Sequence, residues 1–327
     1  MILGRTSKMP IAPATTCRPD TGDVAPIAQR NRRRLCAALI GSPLAVLATP
    51  CAATVLREDV PPPYIPTPQQ VVDRMLEIAG VTKNDFVIDL GCGDGRIVIT
   101  AARRFGARGL GIEIDARLVA QARELALKAD VANRTQFDVQ DALATNLAEA
   151  TVLTLYLGPD LNDKLMPRIL ETMRPGARVV SHDFPLGVWQ PDRAERFDVP
   201  EKNFGRGGES TVMLWIVPAR IHGFWRAQIG DPGMARIEEI SIAQKFQRFE
   251  ATAHRKAHDA ALIDTRIDGD RITFTLPVDA VRPAPQRVDA RVDGNAMTGT
   301  LRVATRSGDQ TLPFTATRID GRPRLSR

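Results

Sequence analysis

Cysteine and histidine are both scarce in this 327-residue chain, which contains four of each. Three of the cysteines, Cys17, Cys36 and Cys51, lie within the first 54 residues. If the chain is cleaved near Ala53, Cys92 alone remains. A single cysteine forms no internal disulfide, even in an oxidising compartment, and supplies no cysteine-based zinc site. We therefore expect neither a disulfide framework nor a metal site.

Long hydrophobic runs, helical repeats and low-complexity tracts are also missing. The main apolar run, residues 35–48, is short and is interrupted by Pro43, which argues against a stable membrane-spanning helix. The chain is 43% hydrophobic and 25% charged, a composition that excludes a disordered acidic tail, a collagen-like repeat and a polytopic membrane protein. Its length predicts about two globular domains.

Basic residues are concentrated at the N-terminus. Residues 1–54 carry seven Lys and Arg against two Asp, and an arginine-rich stretch (30–34) precedes the apolar run and a small-residue segment ending near Ala53. This layout is typical of a secretory signal, and the paired arginines also fit a twin-arginine signal. We predict a leader over residues 1–54, either cleaved or retained as a membrane anchor. The protein is then exported to the periplasm or membrane-associated, and it is cytoplasmic if the leader does not function.

The formal net charge of +6 at first favours a nucleic-acid partner. Outside the leader, however, the remaining 273 residues carry 37 basic and 36 acidic side chains. The body of the protein is therefore nearly neutral, and we expect no nucleic-acid partner.

Residues 55–217 are predicted to form one α/β domain. A proline-rich linker (60–66) leads to Thr67, predicted as an N-cap, with Pro68 in the first turn and Gln70 completing a capping box. Apolar segments then alternate with amphipathic helices, which indicates a doubly wound parallel sheet covered on both faces. The predicted strands are 86–90, 109–113, 136–139, 152–156, 178–182 and 211–217, and the predicted helices between them are 96–105, 116–129 and 161–173.

Residues 218–327 show a different pattern. Segments such as 271–276 alternate polar and apolar residues with the period of a strand, and Asp-Gly pairs at residues 268–269 and 293–294 separate such segments as hairpin turns. This pattern predicts a small antiparallel β domain at the C-terminus.

A glycine-rich turn follows the first predicted strand. Asp89 precedes it, Gly91, Gly93 and Gly95 occupy alternate positions, and Asp94 lies inside it. Glycines allow the backbone to approach a ligand closely, and ligands bind at the carboxyl ends of strands in such sheets. The spacing differs from the G-x-G-x-x-G turn of dinucleotide-binding folds.

The acids around the turn indicate the charge of the ligand. Two carboxylates beside a polyphosphate would repel it, whereas they suit a cation that carries an amino group and a sulfonium. Glu113, at the end of the second strand, is placed to accept hydrogen bonds from ribose hydroxyls. Asp141, after the third strand, is placed to meet an adenine amino group. A purely structural glycine turn in another α/β protein is the alternative interpretation.

These features make residues 64–217 resemble class I S-adenosylmethionine-dependent methyltransferases. The resemblance implies a Rossmann-like, seven-stranded, mainly parallel sheet and S-adenosylmethionine as cofactor. It assigns Asp89, Gly91, Gly93 and Gly95 to the family's first motif, Glu113 to the ribose acid and Asp141 to the adenine-side acid.

A narrower resemblance involves the segments 64–68, 111–115, 155–162 and 181–184. They are similar to the lysine methyltransferases that modify the ATP synthase c-subunit and, more distantly, to non-SET histone lysine methyltransferases. This likeness implies a protein lysine as methyl acceptor, and it implies that Tyr64 and Thr67 help to wall the cofactor. The leader and the C-terminal β domain lie outside it.

Candidate catalytic residues end the fourth and fifth strands. Tyr156 is placed to orient an amine by hydrogen bonding, and His182 or Asp183 is placed to take its proton. The alternative interpretation is a tyrosine packed at the sheet edge beside a His-Asp pair that caps a turn.

Three other functions are consistent with the sequence. The runner-up within the enzyme class is a small-molecule or lipid methyltransferase. A second alternative is an exported binding protein on a relic methyltransferase scaffold, because the methyl donor is made in the cytosol; the intact Asp89, Glu113 and Asp141 argue against it. A nucleic-acid methyltransferase is disfavoured, since no Asn-Pro-Pro-Tyr/Phe motif follows the fourth strand.

Overall fold

A computed structural model of the chain describes residues 64–202, 207–231, 233, 235–255, 259–278, 284–305 and 308–320. The predicted leader over residues 1–54 lies outside these ranges, as does most of the proline-rich linker. The leader and the domain boundaries at residues 54 and 217 therefore stay predictions.

The first part of the chain forms a seven-stranded sheet, as predicted. Its strands are β1 (Phe86–Leu90), β2 (Arg108–Glu113), β3 (Thr135–Val139), β4 (Val152–Leu155), β5 (Arg178–His182), β6 (Arg193–Val199) and β7 (Gly208–Ile216). They follow the order β3-β2-β1-β4-β5-β7-β6, so β1 and β4 lie near the centre of the sheet. Strands β1 to β5 are parallel, β7 pairs antiparallel with β5, and β6 pairs antiparallel with β7 at the edge. The helices of this part of the chain are α1 (Gln69–Ile78), α2 (Arg96–Phe105), α3 (Ala116–Lys128) and α4 (Pro159–Thr172).

Apolar side chains bury both faces of this sheet. Neighbouring residues of β1 belong to different cores: Val87 packs with α1 and α2, whereas Ile88 packs on the α4 side. Burial on both faces explains why the central strands are continuous apolar runs rather than alternating patterns. Among the described residues, none of the helices combines the length and the apolar character needed to cross a membrane.

Two local predictions were wrong. Residues 193–199 form strand β6, which was not predicted, because four of its seven residues are charged and the adjacent Glu195 and Arg196 interrupt the polar–apolar alternation of a strand. Thr67 is not the N-cap of α1; Pro68 takes that position, and no side chain caps the helix. The Thr67 hydroxyl instead lies 3.5 Å from the Nδ1 atom of His182.

The second sheet is antiparallel and has nine strands in the described part of the chain, which confirms the predicted β domain. The strands are β8 (Gly223–Ile229), β9 (Arg236–Lys245), β10 (Arg248–His254), β11 (Ala260–Ala261), β12 (Ile263–Asp268), β13 (Arg271–Leu276), β14 (Gln286–Asp293), β15 (Ala296–Thr305) and β16 (Gly308–Ile319). Each strand from β12 to β16 pairs with the next, β16 pairs with β8, and β8, β9, β10 and β11 continue the series.

This sheet closes on itself. Strands β11 and β12 form one segment interrupted at Leu262, whose N–H donates to the Ala251 carbonyl of β10 (2.8 Å). The interior is packed with apolar side chains, including the fully buried Trp225, Phe274 and Phe314. Closure pairs the edge strands that an open sheet would expose.

The two sheets meet through a buried tryptophan. Trp189 lies in the segment between β5 and β6, is fully buried, and stacks on Phe246 from the β9–β10 turn (ring centroids 5.9 Å apart, planes at 14°). Its Nε1–H donates to Oε1 of Gln247 (2.6 Å), and Gln247 Nε2 donates to Asp192 (2.9 Å). The second sheet therefore completes the hydrogen bonding of a core residue in the first.

We predict that Gln247→Ala destabilises the whole chain. The substitution leaves the Trp189 N–H buried without its acceptor, which costs about 1–3 kcal/mol. Chemical denaturation of the full chain measures this loss.

The matched control is Gln228→Ala, which removes an exposed glutamine from β8 of the same sheet and should change the unfolding free energy by less than about 0.5 kcal/mol. Equal stability of the Gln247 variant and the wild type would contradict the prediction.

Candidate active site

The fold brings the predicted site residues to one edge of the first sheet. In the register, Asp89 of β1 lies between Gly111 of β2 and Thr154 of β4, and Glu113 of β2 lies beside Val139 of β3. Since the five strands are parallel, the segments that follow their carboxyl ends meet at this edge. The glycine turn, Glu113, Asp141, Tyr156 and His182 all belong to it.

The glycine turn needs glycine for both its backbone and its packing. Gly91, Gly93 and Gly95 have φ values of +71°, +54° and +79°, in the left-handed region. A Cβ atom on Gly93 would come within 2.1 Å of the Tyr64 ring, and one on Gly95 would come within 2.5 Å of the Phe137 ring. The rings of Tyr64 and Phe137 therefore pack directly against this turn and leave no room for a Cβ atom.

Asp89 is buried at the end of β1 with only 2% of its surface exposed. The Thr154 hydroxyl donates to its Oδ1 atom (2.7 Å). Burial raises the pKa of Asp89 to about 7; the hydrogen bond from Thr154 opposes this rise, and the negative charges of Glu113 and Asp94 add to it. The carboxylate is thus held at a place where a positive charge would be stabilising.

Asp94 is committed to a neighbouring arginine. Arg96 donates to both of its carboxylate oxygens (Nη2–Oδ2 2.6 Å, Nε–Oδ1 2.9 Å). Burial alone would raise the pKa of Asp94, but these contacts with Arg96 lower it below its ordinary value. Nη1 of the same guanidinium donates to the Thr67 carbonyl (2.8 Å), which fastens the segment containing Tyr64 and Thr67 beside the turn.

Glu113 and Asp141 bind backbone N–H groups at the same edge. Glu113 accepts from Gly93 through Oε2 (3.0 Å) and from Ile114 through Oε1 (2.8 Å). Asp141 is exposed and accepts from Leu143 (2.8 Å) through Oδ1, capping a short 3₁₀ turn.

Tyr156, His182 and Asp183 lie together at the ends of β4 and β5. The rings of Tyr156 and His182 stack with centroids 4.0 Å apart, and Phe184 stacks on Tyr156 at 5.8 Å. His182 is fully buried, with Ser210 Oγ 3.0 Å from Nε2 and Thr67 Oγ1 3.5 Å from Nδ1. Asp183 is bound by the Lys202 ammonium and by the Thr211 N–H (2.9 Å).

Comparison with known proteins matches this edge and its surroundings. The model of the ANTKMT methyltransferase domain family matches residues 89–193. A protein-lysine N-methyltransferase of Saccharolobus islandicus is 40% identical over 156 residues, which cover 47% of this chain and 93% of that protein. The chain belongs to the protein-lysine N-methyltransferase family of S-adenosylmethionine-dependent enzymes.

Other relatives resemble this methyltransferase over the same region. The ATP synthase c-subunit lysine N-methyltransferase of Xenopus laevis is 31% identical over 157 residues, covering 47% of this chain and 68% of that protein. A solved structure described as an RNA methyltransferase from Salinibacter ruber, in complex with S-adenosylhomocysteine, is 50% identical and covers 48% of this chain and 96% of its own, with a TM-score of 0.44.

The residues of the methyltransferase site suit S-adenosylmethionine. Asp89 and Glu113 offer negative charge to a ligand that carries an ammonium and a sulfonium group, and Asp89 is stabilised by such a charge. Asp89, the glycine turn and Glu113 would hold the cofactor, with Tyr64 and Thr67 beside the turn and Asp141 toward its adenine. Asp94 is less available for this task than the sequence indicates, because Arg96 already occupies its carboxylate.

Several residues of this edge were not predicted. Ile114 and Val139 are apolar but 63% and 53% exposed where β2 and β3 end, a suitable surface for an adenine ring. An apolar residue directly after Glu113 was the available signal for Ile114. Lys202 and Ser210 have no such local signal, because they reach His182 and Asp183 only through the fold of β6 and β7.

We predict that Asp89→Asn weakens S-adenosylmethionine binding about tenfold or more and stabilises the unliganded protein at pH 8. Because the pKa of Asp89 is raised from 3.8 to about 7, this side chain favours folding most below pH 4 and loses that contribution as the pH rises through 7. Asparagine keeps an acceptor for Thr154 without the charge. Titration calorimetry and thermal melts between pH 5 and 8 measure both effects.

Asp293→Asn, at an exposed hairpin turn of the second sheet, is the matched control and should leave binding unchanged. Wild-type affinity in the Asp89 variant would count against this assignment. So would a melting-temperature difference between the variant and the wild type that is no larger at pH 8 than at pH 5.

Proposed function

We propose that this enzyme transfers a methyl group from S-adenosylmethionine to the Nζ atom of a lysine in a protein. The observation that carries the proposal is the grouping of Tyr156, Phe184 and the Asp183 carboxylate at the same edge of the first sheet as the residues that would hold the cofactor. Aromatic faces and a carboxylate attract an alkylammonium group, and Asp183 keeps 19% of its side chain exposed. The names of the similar proteins support the same acceptor.

The chemistry divides between the cofactor and the protein. S-adenosylmethionine, when bound, supplies a methyl group on a sulfonium that is already activated for displacement. The protein supplies proximity, orientation and exclusion of water, which together are worth several kcal/mol. The acceptor must lose its proton before the methyl group is transferred, because a protonated lysine has no lone pair.

His182 is not suited to take the proton of the acceptor. Burial lowers the pKa of His182 to about 4, with the charge of Asp183 opposing the effect and that of Lys202 adding to it. The imidazole is therefore neutral at physiological pH, but hydroxyl groups of Thr67 and Ser210 face its two nitrogens. We assign it the role of a support under the Tyr156 ring, and we expect the proton to leave to solvent.

Tyr156 is suited to orient the amine. Burial and the nearby charge of Asp183 raise the pKa of its hydroxyl, so the phenol stays protonated at neutral pH. A protonated phenol offers both a donor and two acceptor lone pairs to an amine. Asp183 adds an electrostatic attraction that brings the lysine side chain to the same place.

Other acceptors remain as outcomes of one labelling experiment. Cell extract is incubated with the purified enzyme and with S-adenosylmethionine labelled in its methyl group, then separated into protein, lipid, small-molecule and RNA fractions. Label on protein lysine supports the proposal, and label confined to another fraction replaces it. No transfer to any fraction would support the relic binding-protein alternative.

We also propose that the leader exports the protein or anchors it to a membrane. The arginine-rich and apolar sequence of residues 30–53 supports this location. Cell fractionation with N-terminal sequencing of the mature protein tests it; a cytosolic protein with an intact N-terminus would disprove it.

We predict that kcat/KM for a lysine peptide rises with pH from 7 to about 10, following loss of the proton from the acceptor amine. His182→Gln should lower the rate without moving this pH dependence, because the imidazole does not accept the proton. Tyr156→Phe should lower kcat about tenfold or more and leave S-adenosylmethionine affinity within about twofold. Steady-state kinetics across this pH range measure each effect.

A matched control for the tyrosine is Phe105→Leu at the end of α2, away from this edge. A kcat/KM that falls between pH 7 and 9, or a Tyr156→Phe enzyme with wild-type kcat, would contradict the assigned roles.

A further inference from the structure

An ion pair between Lys202 and Asp183 lies beside His182. Lys202, between β6 and β7, is buried, with only 4% of its side chain exposed. Its ammonium donates to Oδ2 of Asp183 and to the backbone carbonyl of Glu209 (2.6 Å). A buried lysine with two acceptors holds a fixed position.

Asp183 depends on this contact and on one neighbouring residue. Its backbone is in the left-handed region (φ +61°), which is costly for a residue other than glycine. Thr211 binds it twice: the Asp183 N–H donates to the Thr211 carbonyl (2.8 Å), and the Thr211 N–H donates to Oδ1 (2.9 Å). Lys202 occupies the other oxygen, so both carboxylate oxygens are fixed in direction.

The charge of Lys202 also affects the chemistry of the acceptor. A carboxylate beside a lysine stabilises its ammonium form and so opposes the loss of the proton that methylation requires. A cation already paired with Asp183 weakens that effect while leaving the carboxylate in place. The groups that face His182 are Tyr156 by stacking, Thr67 and Ser210 by their hydroxyls, and Asp183 at 3.5 Å from Nε2.

We propose that Lys202 is a positioning residue for methyl transfer, which orients the Asp183 carboxylate and offsets its charge so that the acceptor lysine loses its proton. Lys202 itself is not the acceptor, because its ammonium donates two hydrogen bonds and presents no lone pair. The inference rests on the proposed function, since it concerns the same acceptor site.

The test compares Lys202→Met with Lys128→Met. Lys128 also pairs with an acid, Glu124 (2.6 Å), but both side chains are exposed on α3, so its loss serves as the matched control. We expect Lys202→Met to bind S-adenosylmethionine with an affinity within about twofold of wild type and to lose about tenfold or more in kcat. The midpoint of its kcat–pH profile should move to higher pH, because kcat reports the protonation of the acceptor bound beside Asp183.

A second readout does not require turnover. NMR titration of the His182 ring should show protonation at a higher pH in Lys202→Met than in wild type, because a nearby positive charge has been removed while Asp183 remains. This measurement stands even if the acceptor proves not to be a lysine, so it separates failure of this inference from failure of the proposed function.

Wild-type kcat with an unmoved kcat–pH profile in Lys202→Met would overturn the inference, and so would an unchanged His182 titration. If Lys202→Met does not fold, the double variant Asp183→Asn/Lys202→Met decides the matter. Removing both charges should restore folding relative to the single variant if the two groups form one unit. A double variant that is no more stable than Lys202→Met would also disprove the pairing.

Discussion

A buried carboxylate at the end of the central strand determines the character of this site. Asp89 is almost fully removed from water, and the charges that act on it from Glu113 and Asp94 are negative. Such a group is unfavourable in the unliganded protein at neutral pH, and a cationic ligand relieves the cost. Selection for a positively charged methyl donor over a nucleotide therefore follows from electrostatics, while the glycine turn supplies the shape.

The residues proposed to bind the acceptor lysine have a different electrostatic arrangement. There the carboxylate of Asp183 is paired with Lys202, and the histidine is kept neutral by burial. At this edge of the first sheet, Asp89 thus pairs with no cation among the described residues, whereas Asp183 pairs with Lys202. In the proposed mechanism, the first arrangement attracts the cofactor, and the second attracts a lysine without holding its proton too strongly.

Much of this fold could be predicted because local sequence determines it. Strands β1 and β5 and helix α2 were predicted with their observed bounds, since each is an apolar or amphipathic run that ends at a glycine or a polar residue. Strand β6 was missed because four of its seven residues are charged and its polar–apolar alternation is interrupted at Glu195 and Arg196. Lys202 was missed for another reason: a buried lysine can be recognised only from its partner, and Asp183 lies 19 residues away in the sequence.

The second sheet has a role that the sequence resemblance does not suggest, because the similar enzyme of Saccharolobus islandicus is matched over 93% of its length by less than half of this chain. Residues 183–192 lead from Asp183 to Trp189 and Asp192, and both of these contact Gln247 of the second sheet. Trp189 is buried in the core of the first sheet, and the acceptor of its N–H group is Gln247 of the second sheet. Without the second sheet, this N–H group would lose its hydrogen-bond partner. The segment that begins at the proposed acceptor site is therefore anchored at its far end by the second sheet, and removal of that sheet would disturb the proposed site through this segment.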